Sequence, residues 1–163
     1  MGVTNVLAKI GGTECLDEGG EPTAFQLHDE WVLYKKTDPD GGPGNVFPIT
    51  FVWVNPYDCN VQIVGGKFEA FGSGITGNAS NYATINVLTD DGNGSTPAVA
   101  LAVSSWLSDA GSFLAGIAKA FTQKTPANTI VPPGGNVYLS ITKAGAGIVV
   151  PVAAVVLRLR KQG

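Results

Sequence analysis

Apolar and polar residues alternate one by one along several short stretches of this chain. In 82–89 (YATINVLT), Ala83, Ile85 and Val87 fall on one side and Thr84, Asn86 and Leu88 on the other. In 136–143 (NVYLSITK), Val137, Leu139 and Ile141 point one way and Tyr138, Ser140 and Thr142 the other. In 155–160 (VVLRLR), Val155, Leu157 and Leu159 alternate with Arg158 and Arg160. A period of two places one set of side chains in a core and the other outward, which is the pattern of a half-buried strand. Denser apolar runs, WVLYKK (31–36) and VFPITFVWV (46–54), read as further strands, and NVQIVGGKFEAFG (60–72) reads as two strand pieces joined by a bulge at Gly65-Gly66. Between them lie turn clusters: TDPDGGPGN (37–45), GSGITGNASN (72–81) and DDGNGSTP (90–97).

One segment breaks the period. Val103, Trp106, Leu107, Ala110, Phe113, Ile117 and Phe121 are spaced three and four apart, as on one face of a helix. Gly111 and Gly116 oppose that, at about 1 kcal/mol each relative to Ala. We expect a strand over 98–106, then either a strand or one short helix within 108–122. The fold class that follows is mainly β: an antiparallel β-sandwich with at most one short helix. Its expected core includes Val52, Val54, Ile85, Val87, Val137, Leu139, Ile141, Val155, Leu157 and Leu159.

Residues 1–29 stand apart from this texture and read as an extended N-terminal arm on a β-sandwich domain of 30–163. GGTECLDEGGEP (11–22) has two Gly-Gly breaks, four acids and almost nothing to bury. Its acids Glu14, Asp17, Glu18 and Glu21 are the candidate contacts to a basic partner or neighbouring subunit. Charge divides accordingly: residues 1–40 carry a net −5 and residues 41–163 a net +2. The only dense basic run is Arg158, Arg160 and Lys161, so no nucleic-acid partner is expected. The longest apolar run, 148–157, contains Pro151 and is too short for a membrane helix, which needs roughly 20 residues. The start MGVTNVLAKIGG lacks the layout of a secretory signal. Two cysteines, Cys15 and Cys59, form no disulfide framework, and free thiols in a reducing cytoplasm are expected over a single bridge.

Candidate chemistry is sparse. Gly72, Gly74 and Gly77 match a dinucleotide pattern, but an alternating strand follows where a helix would be required, so the stretch reads as a loop. His28, Asp29 and Glu30 are adjacent and cannot all converge on one metal from a strand. Asp38, Asp40, Asp90, Asp91 and Asn93 lie in glycine-rich loops without a full calcium-loop spacing, and bond their own backbone on the ordinary reading of such turns. Glycoside hydrolysis would need two facing carboxylates, whereas most acids here sit in turns or the arm. No catalytic residue, cofactor or metal is expected, and the chain reads as a non-enzyme. Charged residues are only 14% of the chain, against roughly 25% in an average soluble domain. A surface covered by copies of itself or by a partner needs fewer.

Three segments, YATINVLTDDGNGSTP, IVPPGGNVYLSITKAGAG and VVPVAAVVLRLR, follow one another in an order that resembles the jelly-roll-like β-sandwich proteins that decorate or cement the capsids of tailed bacteriophages. The turn from Val131 to Val137 is the part of the pattern that leads into a strand pairing with the last one. The resemblance covers about residues 30–160. It implies a structural virion protein on the capsid exterior, made in the host cytoplasm, whose partners are the major capsid protein and other copies of itself, as a trimer. It also implies that residues 1–29 grip the shell or a neighbour. A different class, a carbohydrate- or receptor-binding module of a head fibre or tail, would use exposed Trp and Tyr to stack on sugars.

Overall fold

A computed structural model describes residues 30–37, 47–105, 112–145 and 148–162, with 30–37, 47 and 48 described as backbone. Among the described residues ten strands form: β1 (Glu30–Thr37), β2 (Phe47–Val54), β3 (Val61–Ala70), β4 (Tyr82–Thr89), β5 (Ala98–Ser104), β6 (Lys119–Ala120), β7 (Thr122–Gln123), β8 (Ile130–Val131), β9 (Asn136–Ala144) and β10 (Ala153–Lys161). One sheet runs β1-β10-β3-β6, with β8 also on β3, and the other runs β2-β9-β4-β5-β7. Every pairing is antiparallel. The chain crosses repeatedly from one sheet to the other, so its first strands pair with its last: β1 with β10, then β2 with β9. This is the wrapping of a jelly roll, a two-sheet antiparallel sandwich.

The alternation read from sequence sets which residues meet between the sheets. Val61, Ile63 and Phe68 of β3 and Val155, Leu157 and Leu159 of β10 are buried on one side. Ile85 and Val87 of β4, Val103 of β5, and Val137, Leu139 and Ile141 of β9 are buried on the other. Phe68 and Phe113 lie 5.0 Å apart, tilted by 49°. The opposite face of β10 carries Arg158, which is exposed.

Three expectations are corrected. Val54 is 40% exposed and outside the core, whereas Val52, half-buried, packs against the core as expected. Irregularities in the β2·β9 register, between Phe47 and Thr50 and between Phe51 and Trp53, reset the alternation, so Trp53 packs on the core as well. Leu88, placed on the outward face, is 8% exposed because Tyr138 stands opposite it on β9. β9, which follows the turn from Val131 to Val137, pairs with β2 and β4 and not with the last strand, β10. Of the two alternatives open for 108–122, no helix forms over the described 112–122: Phe113 makes a β-bridge to Ile75, and Gly116 adopts φ +72°, which breaks a helix. The short helix of the described residues is a 3-10 turn at Pro126–Thr129. The expected bulge in β3 is present, with an extra residue at Val64 beside Gly65, and β3 runs on as one strand.

Candidate interaction surface

The antiparallel register sorts the loops to two ends of the sandwich. At one end, β4 leads into the loop 90–97, beside the start of β9 and the turn 132–135. Asn55, buried to 1% exposure, ties this end together: its side-chain amide donates to the carbonyls of Cys59 and Val131, and its Oδ1 accepts from Tyr57 N–H. Asp90 lies beside it. Asp90 Oδ1 accepts from Gly92 N–H (2.9 Å), Asn136 N–H (3.1 Å) and the Asn136 side-chain amide (2.8 Å), while Oδ2 accepts from the Tyr138 hydroxyl at 2.7 Å. Asp91 accepts from Asn93 N–H and from the Ser95 hydroxyl. The acids of this loop are therefore turn formers, as the sequence suggested.

Desolvation raises the Asp90 pKa, but the donors from Tyr138, Gly92 and Asn136 outweigh it and hold the carboxyl below its ordinary value. The Tyr138 hydroxyl is pushed up, first by its hydrogen bond to Asp90 and then by burial. Tyr138→Phe is expected to cost about 1 kcal/mol at neutral pH, the usual worth of such a bond. A depressed carboxyl contributes above its unfolded pKa and loses that contribution as pH falls through the folded one. The difference between wild type and variant should thus be constant from about pH 5 to 8 and shrink below about pH 4. Urea unfolding across that range checks it, and a pH-independent difference would show that the bond does not depend on the Asp90 charge.

The other end is built differently. β3 finishes at Ala70, opposite the start of β10 at Ala153. Phe71 N–H donates to Val152 O, Gly116 N–H to Ala70 O, and Ile75 and Phe113 exchange bonds of 2.7 and 2.9 Å. The loops 71–81, 112–118 and 148–152 are thereby knit into one tip. At Gly74 a Cβ would come within 2.5 Å of Phe113 O, so only glycine allows this approach. The segments 70–89, 112–118 and 144–157 contain no charged residue. The tip nevertheless exposes large apolar side chains: Phe71 at 38%, Leu114 at 53%, Ile117 at 48% and Val149 at 49%. Of the charges that flank these loops, Lys143 is half-buried and donates to Ile148 O at 2.8 Å.

A second apolar strip lies on β2. Ile49 is 53% and Phe51 50% exposed, and Val54 continues the strip. Phe51 stands edge-on to Tyr138, 6.1 Å between centroids. β2 is an edge strand among the described residues. Natural edges are guarded by charge, proline or bulges, and β2 has Pro48 and two register irregularities but no charge.

Of the residues singled out from sequence, Glu14, Asp17, Glu18, Glu21, Cys15, His28, Asp29, Asp38, Asp40 and Trp106 lie outside the described residues. Glu30 opens β1 opposite Arg160. Gly72, Gly74 and Gly77 fall in the loop between β3 and β4, where no helix begins. Cys59 is a half-buried free thiol. Among the described residues no group of His, Cys, Asp and Glu is placed to hold a metal, and no helix is long and apolar enough to cross a membrane. The tip was missed because its apolar residues come from three separate loops. The signal that locates it is the gap in charge between Glu69 and Asp90, between Asp109 and Lys119, and between Lys143 and Arg158.

The chain matches no family model and no curated protein. Among solved structures it is similar to a chain in the structure of infectious bursal disease virus Gx strain, at 18% identity and a TM-score of 0.34. That likeness takes in 84% of this chain, which spans about a third (31%) of the viral chain's length.

Proposed function

We propose that the protein is a structural component of a virion, a capsid decoration or cement protein that binds the outside of a bacteriophage head and stabilises it without chemistry of its own. The observation that carries this reading is the tip: Phe71, Leu114, Ile117 and Val149 are exposed on the described loops 71–81, 112–118 and 148–152, and those three loops contain no charged residue. Contiguous exposed apolar surface marks a protein interface. The resemblance of the three strand-and-turn segments to phage decoration proteins supplies the setting. Binding to a shell stabilises whatever state is bound, by mass action, so many weak copies add up to a stronger particle.

In the same reading the arm, residues 1–29, serves attachment, with Glu14, Asp17, Glu18 and Glu21 meeting basic groups on the major capsid protein. The Trp and Tyr side chains that are described favour an assembly role over a sugar platform. Trp53 packs on the core, Tyr138 is bonded to Asp90, and the Tyr57 ring lies 4.1 Å from Lys161 Nζ. Purified chain added to particles lacking it should bind saturably, in many copies, and raise their rupture temperature. A chain lacking residues 1–24 should keep a cooperative unfolding transition yet lose particle binding, and salt should weaken binding of the full chain. If the full chain fails to bind, the capsid assignment is wrong; if the truncated chain binds equally well, the arm has no such role.

A further inference from the structure

We propose that Asn93 is a site of spontaneous modification in the folded protein. The main-chain nitrogen of Gly94 displaces its side-chain amide, through a succinimide, to leave isoaspartate or aspartate. Of the asparagines in the chain, Asn93 alone is followed by glycine; the others precede valine, proline, alanine, tyrosine or threonine. Attack on the asparagine Cγ needs a main-chain nitrogen that is free and uncrowded, and glycine has no Cβ to stand in the way. The fold meets both conditions. Asn93 and Gly94 are exposed in the loop 90–97. Among the described residues the Gly94 N–H has no hydrogen-bond acceptor. Gly94 adopts φ +84°, and a Cβ placed there would meet no atom within 4 Å. The Asn93 side-chain amide is tethered by a 3.3 Å contact from Nδ2 to Asp91 O, longer than an ordinary N–H···O bond.

The step needs no reactant but water. Gly94 N bonds to Asn93 Cγ, the Cγ–Nδ2 bond breaks, and the amide nitrogen leaves as ammonia with the proton from Gly94 N–H. Water then opens the ring. Opening at the main-chain carbonyl leaves Gly94 linked through the side chain, as isoaspartate, and opening at Cγ leaves aspartate. Either product adds one negative charge to the formal −3 of the chain.

The adjacent Asp91-Gly92 pair shows why the reaction selects Asn93. It could close the same ring by losing water, but its parts are held. Gly92 N–H donates to Asp90 Oδ1 at 2.9 Å, and Asp91 Oδ1 accepts from Asn93 N–H and from the Ser95 hydroxyl. The Ser95 bond first, and the Asn93 N–H next, keep the Asp91 carboxyl below its ordinary value, so it is ionised at neutral pH, whereas ring closure needs the uncharged acid. A Cβ at Gly92 would collide with Gly134 O, so this half of the loop is packed on the turn 132–135. One glycine of the loop is pinned and the other is free.

The test incubates the purified full chain in warm, mildly alkaline buffer. Isoelectric focusing follows its charge, and peptide mapping places each isoaspartate. One more acidic form should accumulate first, with the mass change of an amide exchanged for an acid, and with isoaspartate and aspartate at position 93. Asn93→Gln should remove that form, because closure would need a larger ring, and Asn93→Asp should focus with it from the start. Both positions are solvent-facing, and cooperative unfolding of each variant checks that it is folded. The proposal is overturned if Asn93 stays intact in the native chain while the urea-unfolded chain converts, since the fold would then protect it. Earlier conversion at another asparagine, such as the exposed Asn78, or at Asp91, would overturn it equally. No particle enters this measurement, so its outcome is independent of the capsid assignment.

Discussion

Phe68→Ala is expected to lower stability by about 3–5 kcal/mol, the range for emptying the site of a buried aromatic ring. Phe68 has no exposed surface, and its ring meets that of Phe113 at 5.0 Å. Phe113 in turn is 1% exposed and holds the loop 112–117 through its bridge to Ile75. The substitution therefore opens a cavity at the point where the core supports the tip. Domains of this size are typically stable by roughly 5–15 kcal/mol, so a loss of this order removes a large share. The urea midpoint should fall steeply with little change in slope. A cost below about 1 kcal/mol would show that the site collapses or that Phe68 is not packed on Phe113.

Leu139→Ala is expected to cost about 2–5 kcal/mol, whereas Val54→Ala should cost under about 1 kcal/mol. Leu139 is 3% exposed and lies at the centre of its sheet, opposite Thr50 on β2 and Val87 on β4. Val54 is also an apolar residue of a strand, but the irregularities in β2 turn it outward to 40% exposure. The pair tests register as well as burial, because a strand slipped by one residue would exchange inward and outward positions. Equal costs at the two positions would show that the β2·β9 register is different.

Where the alternation is regular, the sequence was enough to place the strands. Residues 82–89 form β4 at the limits the pattern gave, 136–143 falls within β9, and 155–160 within β10. Each has one apolar buried face and an opposite face that is mostly polar, so side-chain polarity reports direction even where that opposite face is covered, as at Asn86, Leu88 and Ser140. β2 was legible as a strand but not in its facing, because FPITFVWV is apolar on both sides and bulges leave no mark in polarity. The 103–121 region was ambiguous for a different reason. Of its described residues, Phe113, Ile117 and Phe121 keep helical spacing without a helix, one exposed and two buried. The Asp90 turn was read correctly from its glycines and acids, but its bond to Tyr138, 48 residues away, depends on the fold. The tip could be sensed only as a shortage of charge, since its parts meet through the jelly-roll wrapping.

Cryo-electron microscopy of purified phage particles, with and without this chain, tests the central claim most directly. The account predicts regular density for the sandwich on the outer surface of the head, at many copies, with Phe71, Leu114 and Ile117 buried in contacts, and particles without the chain that rupture more readily. Density confined to a few fibre or tail positions, or particles that carry none of the chain, would contradict it.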